Sequence, residues 1–143
     1  MPIVRSIGGI LAGCVVIFLL VGIVDLAGGM LFNALPDPDT GTLSPEANTT
    51  GLSVWNLAWY FVITLLGAWL AARIAGRRPM LHAGIIALLI LGGGVAFALF
   101  GKAAYEALGI ELPSWYLPLL PVVGAIGALT GGWLRARRQP GGT

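Results

Sequence analysis

Residues 7–32 read IGGILAGCVVIFLLVGIVDLAGGMLF and carry one charged side chain, Asp25. An α-helix rises about 1.5 Å per residue, so about 20 apolar residues cross a hydrocarbon layer roughly 30 Å thick. This stretch is long enough to do so. Working outward, three more segments meet the same requirement: residues 54–73, 80–100 and 115–134. The whole chain, 143 residues, is 57% apolar and only 10% charged. An average soluble domain is about 25% charged. A water-solvated fold of this length has too much surface to cover with so few charges. Composition therefore excludes a disordered chain, a nucleic-acid-binding arm and a disulfide scaffold. No nucleic-acid partner is expected.

The predicted fold is all-α: a single integral membrane domain, a four-transmembrane-helix bundle with antiparallel up-down topology. The first span covers residues 7–32, followed by an outer loop over 33–53. The second span, 54–73, joins the third, 80–100, through a short turn. The third is expected to continue as a helix to residue 108, ahead of Gly109. The fourth span, 115–134, precedes a basic tail over 135–143. Pro118 falls in the first turns of the fourth helix, and Pro121 is expected to bend it.

Charge sets the expected orientation. Arg5, Arg73, Arg77, Arg78, Arg135, Arg137 and Arg138 fall on the side of the termini, and Lys102 falls opposite. Positive residues accumulate on the cytoplasmic side of membrane proteins, so both termini are expected there: N-in and C-in. The acids Asp25, Asp37, Asp39, Glu46, Glu106 and Glu111 occupy the outer half. Trp55, Trp59, Tyr60, Trp115 and Tyr116 gather at the outer boundary and Trp133 at the inner one, where amphipathic rings prefer to sit. Arg73, Arg77, Arg78, His82, Arg135, Arg137 and Arg138 form a basic cytoplasmic interface. It serves either insertion topology alone or anionic lipid headgroups, at about 1 kcal/mol per residue near the surface. His82, the sole histidine, has a structural or headgroup-level place there.

Apolar side chains gain little by meeting each other in lipid, so close backbone approach must hold the helices together. Gly67 and Ala71 on the second helix, and Gly124, Ala128 and Gly132 on the fourth, repeat at four-residue spacing as packing positions. Gly9-xxx-Gly13 and Gly127-xxx-Gly131 add to them. Such stripes serve packing within the chain or association with a second copy or another membrane protein. The Gly92-Gly93-Gly94 run could mark a bend.

Asp25 is the one ionisable candidate inside a span. Twenty residues separate it from Arg5, about 30 Å of helix, which places it near the outer boundary. Lys102 reaches a similar level on the third helix. Two pairings compete: Asp25 with Lys102, or Lys102 with Glu106 at i, i+4. Leu11-Ala12-Gly13-Cys14 matches a lipid-attachment pattern, but only a short run precedes it and the apolar stretch continues beyond Cys14, so no lipidation is expected. Asp37-Pro38-Asp39 reads chiefly as a turn. Asn48-Thr49-Thr50 is a glycosylation sequon that matters only in a glycosylating pathway. No nucleophile with a base, carboxylate pair or metal-ligand set is visible within the spans. No enzyme activity, catalytic residue, metal or cofactor is expected.

The segment Gly67-Ala-Trp69-Leu-Ala71-Ala72-Arg73-Ile-Ala75-Gly76-Arg77-Arg78-Pro-Met-Leu81-His82 resembles a widespread family of small, uncharacterised bacterial four-helix inner-membrane proteins. Pro113-Ser-Trp115-Tyr116, Pro121 and Gly131-Gly132-Trp133-Leu-Arg135 share the resemblance. It implies a multi-pass protein of the bacterial cytoplasmic membrane and transfers no activity. The leading functional expectation is a non-enzymatic helix-packing and interaction protein or accessory subunit, meeting lipid, a second copy or a membrane-protein partner. The alternative is a small transporter or channel subunit that uses Asp25.

Overall fold

The computed structural model describes residues 2–35, 37–41, 47–76, 78–100, 106 and 111–138. Four long helices account for it: α1 (Pro2–Leu31), α2 (Thr49–Ala75), α3 (Pro79–Phe100) and α4 (Tyr116–Arg137). Each is long and apolar enough to cross a membrane. No strand occurs among the described residues. The helices form a bundle of the kind expected for a multi-pass membrane protein.

The helices overrun the apolar spans at several ends, for local reasons. Helix α1 starts at Pro2, whose missing N–H is harmless in a first turn. Arg5 is thereby helical, and its Nε donates to the Ile74 carbonyl at 2.7 Å, tying the start of α1 to the end of α2. Helix α1 ends where Asn33 turns left-handed (φ 56°) and the Ala34 N–H donates to the Gly29 carbonyl at 2.8 Å. That is the six-to-one bond of a Schellman cap. Helix α2 begins five residues before the predicted span, because the Asn48 side chain accepts from the Gly51 N–H at 2.8 Å. The sequon asparagine is thus a helix cap. At the other end Gly76 (φ 72°) closes α2 with its N–H on the Ala72 carbonyl. Of the expected helical extension to residue 108 only Glu106 is described, and it is helical; Lys102 and its pairings lie outside the described residues.

The interior is made of small residues. Ala68, Ala71, Ala72, Ala83 and Ala128 are fully enclosed, and the largest fully buried side chains are Ile86, Thr64 and Ser53. Bulky apolar residues such as Phe18, Leu88, Leu99 and Phe100 face outward. A water-soluble bundle arranges its residues the other way round. Small-inside, large-outside is what close helix approach in lipid requires.

Glycines mark the approaches. A Cβ at Gly13 would lie 2.7 Å from the Gly67 carbonyl oxygen, and one at Gly9 would lie 2.7 Å from that of Ala71. Contacts between α1 and α2 therefore run antiparallel. A Cβ at Gly127 would lie 2.5 Å from the Phe61 carbonyl oxygen, and one at Gly131 would lie 3.0 Å from the Trp69 nitrogen, so α2 and α4 run parallel. Gly94 receives the Pro121 ring and Gly132 receives Ala83, an antiparallel pairing of α3 with α4. Helix α2 is the hub, touching the other three, while α1 and α4 do not meet among the described residues. Helix α3 passes through Gly92–Gly94 as one continuous helix.

Candidate functional site: a cleft between α1 and α3

Helices α1 and α3 meet sparsely, near Gly13 and Ile86. Beyond that contact a cleft of about 880 Å³ separates them. Its closed end is formed by Ile17, Ile63 and Ile86, all buried. Helix α2 forms the back through Ser53, Asn56 and Tyr60, and α4 contributes Tyr116, Leu120 and Pro121. The flanks come from Val21 and Asp25 on α1 and from Leu89, Ile90, Gly93 and Phe97 on α3. At the far end Ala34 and Leu35 fold back over α1. A Cβ at Gly29 would meet the Leu35 Cδ2 at 2.7 Å, so this glycine admits the Leu35 side chain.

Asp25 lines this cleft. It is exposed and has no hydrogen-bond or ion-pair partner among the described residues. The Trp55 Nε1–H donates to the Val24 carbonyl at 3.3 Å, which fixes the level of Asp25 against that of Asn56. The Asn56 Oδ1 is buried and accepts no hydrogen bond among the described residues. The Thr64 hydroxyl, deeper in α2, is already committed to the Tyr60 carbonyl at 2.8 Å. Tyr60 itself packs on Gly124 and faces the cleft, and Tyr116 is buried. Phe32, Trp55 and Trp59 form an aromatic chain, with centroid separations of 6.3 and 5.7 Å.

The basic residues collect at the opposite end. The Arg73 guanidinium lies 5.2 Å from the Trp69 ring centroid, and that of Arg137 lies 3.7 Å over Trp133, both within cation–π range. The Arg135 Nε is buried without a hydrogen-bond partner among the described residues. Arg78 is exposed and left-handed (φ 46°), and Arg138 caps α4. Arg77 lies outside the described residues. His82 is the buried member of the set, 4% exposed. Its Nδ1 is 3.0 Å from the Arg78 carbonyl oxygen. A carbonyl can only accept, so Nδ1 carries the proton and the ring closes the first turn of α3. The packing positions Gly67, Ala71, Gly124, Ala128 and Gly132 are all buried inside the bundle.

In the loop between α1 and α2 the Asp37 carboxylate accepts the backbone N–H groups of Asp39 (2.8 Å) and Thr40 (3.1 Å). These bonds hold its pKa below the usual carboxylate range. The carboxylate is thereby engaged in an Asx turn. Glu46 lies outside the described residues, and no group of three His, Cys, Asp or Glu that could hold a metal gathers among those described.

The sequence pointed to Asp25 but not to the cleft it lines. Asn56, a polar residue within an otherwise apolar run, was the available signal for the polar back of the cleft. Gly93 and Ile90 gave none, because their place depends on how far α3 stands from α1. Compared with protein-family models, curated proteins and solved structures, the chain matches none.

Proposed function

We propose that this is a non-enzymatic, multi-pass protein of the bacterial cytoplasmic membrane whose α1–α3 cleft holds a lipid-soluble molecule taken from the bilayer. The observation that carries this reading is the cleft itself. Ligand sites typically measure about 300–1,000 Å³ and are mostly apolar with a few placed polar groups. About 880 Å³ lined by aliphatic and aromatic residues, with Asp25, Ser53 and Asn56 among them, fits that description. The small-residue stripes are occupied by packing within the chain, so they lend no support to a partner-binding role. The spans alternate in direction, with both termini and the α2–α3 turn in the cytoplasm. The arginine distribution supports this orientation. At that end the arginines, including the unpartnered Arg135 Nε, favour anionic headgroups.

Two measurements test these statements. A fluorescent protein fused after Thr143 should be bright, and alkaline phosphatase at the same point inactive; the reverse pattern contradicts the orientation. Binding is tested with 1-pyrenemethanol, a neutral lipophile, in phosphatidylcholine nanodiscs, read as energy transfer from tryptophan. Trp55 and Trp59 lie in the first half of α2, and Trp115 immediately precedes α4. Transfer should saturate near one probe per chain. Transfer that rises only in proportion to the probe-to-lipid ratio contradicts a binding site. If that pattern comes with concentration-dependent oligomers, the cleft docks a helix instead.

A further inference from the structure

We infer that the cleft selects lipophilic ammonium ions, with the Asp25 carboxylate as the acceptor that holds the cationic head. This rests on the cleft being a binding site and adds the chemical class of its occupant.

One feature of the lining calls for a cation. Asp25 lines the cleft and has no hydrogen-bond or ion-pair partner among the described residues. The Trp55 Nε1–H bond to the Val24 carbonyl holds α1 against α2 at this level. A protonated amine in the cleft supplies both a compensating charge and N–H donors to the carboxylate, and charge-assisted hydrogen bonds are about twice as strong as neutral ones. A neutral lipophile supplies no charge.

The rest of the wall suits the same occupant. No Lys, Arg or His is among the described residues that line the cleft. Tyr60 and Phe97 present aromatic rings to it. Ring faces attract ammonium groups, more strongly where water is excluded. The aliphatic walls from Ile17, Val21, Leu89 and Ile90 take the hydrophobic body. Attraction between unit charges also grows as the effective dielectric falls, which favours this pairing over one in open water.

The test compares two probes that differ in one group: 1-pyrenemethylamine, an ammonium ion at neutral pH, and 1-pyrenemethanol. Both are titrated against the 143-residue chain in phosphatidylcholine nanodiscs, which carry no net lipid charge to concentrate the amine. The native chain should bind the ammonium probe about ten-fold more tightly, equivalent to about 1.4 kcal/mol. Asp25→Asn should bring the ratio close to one while leaving affinity for the alcohol unchanged. The Asp25 side chain is exposed, so its replacement leaves the fold in place, and unchanged alcohol binding verifies that. Equal affinity of the native chain for both probes overturns the cation preference while the cleft reading stands. A preference that persists in Asp25→Asn overturns the role of Asp25. A preference that emerges only in Lys102→Gln shows that Lys102 already neutralises Asp25, and overturns the inference for the native protein. No saturable binding of either probe overturns both readings.

Discussion

Gly131→Leu should destabilise the bundle by at least about 3 kcal/mol. A Cβ at residue 131 would press into the Leu65 carbonyl, with the Leu65 carbon and the Trp69 nitrogen each at 3.0 Å. These are backbone atoms of α2, which cannot rotate aside as a side chain can. Overpacking a core that can yield costs about 1–3 kcal/mol. Here relief requires α2 and α4 to separate, which also opens the seats of Gly124 and Gly127. Leucine favours a helix over glycine by roughly 0.8 kcal/mol, so weakening of α4 itself cannot explain a loss. Gly22→Leu provides the control. A Cβ there meets nothing within 4 Å, and the side chain would join the lipid-facing surface of α1. It should leave stability unchanged or raise it by a few tenths of a kcal/mol to about 1 kcal/mol. Unfolding by added SDS in mixed micelles, followed by tryptophan fluorescence, measures both. Equal stability of the two variants would show that the α2–α4 approach is not close.

Gly93→Phe should weaken binding of the neutral pyrene probe by about ten-fold or more, with the fold intact. Gly93 lines the cleft, yet a Cβ there touches nothing within 4 Å. The aromatic ring can therefore be added without strain and must take space from the ligand. A ten-fold loss corresponds to about 1.4 kcal/mol. Gly92 is the adjacent residue, equally unhindered, but does not line the cleft. Gly92→Phe should leave binding within about two-fold of native. Both exchanges remove a helical glycine, so general effects on α3 cancel between them. Equal weakening by both would point to a change in α3 as a whole rather than to obstruction of the cleft.

How far the sequence reveals this molecule depends on the scale of each feature. Spans are legible because a hydrocarbon layer demands a long unbroken apolar run, and residues 7–32 can be read no other way. The packing glycines are legible too, because contact between helices needs small residues at helical spacing. Helix ends were less so. Asn48, Thr49 and Thr50 are polar and read as loop, yet they cap and begin α2 through one side-chain hydrogen bond. Arg5 reads as a flanking charge, whereas its guanidinium reaches α2 at Ile74. The cleft is the least legible feature. It exists because α1 packs along α2 and α3 along α4, so that α1 and α3 part beyond Gly13 and Ile86. No single segment encodes that separation. Asp25 looks like an isolated boundary charge until the opposite wall, Ile90 to Phe97, is in place. Small residues determined which faces meet, and the space left between faces followed from all four helices together.

The most direct measurement is a map of where a diazirine-bearing pyrene alcohol attaches when activated by light in the bilayer. Adducts identified by mass spectrometry should concentrate on Val21, Leu89, Ile90 and Phe97, which line the cleft. They should fall sharply when excess unlabelled alcohol competes. Labelling spread evenly over outward residues such as Leu11, Leu88, Leu99 and Ile126, and indifferent to the competitor, would show a bundle surrounded by lipophiles but binding none.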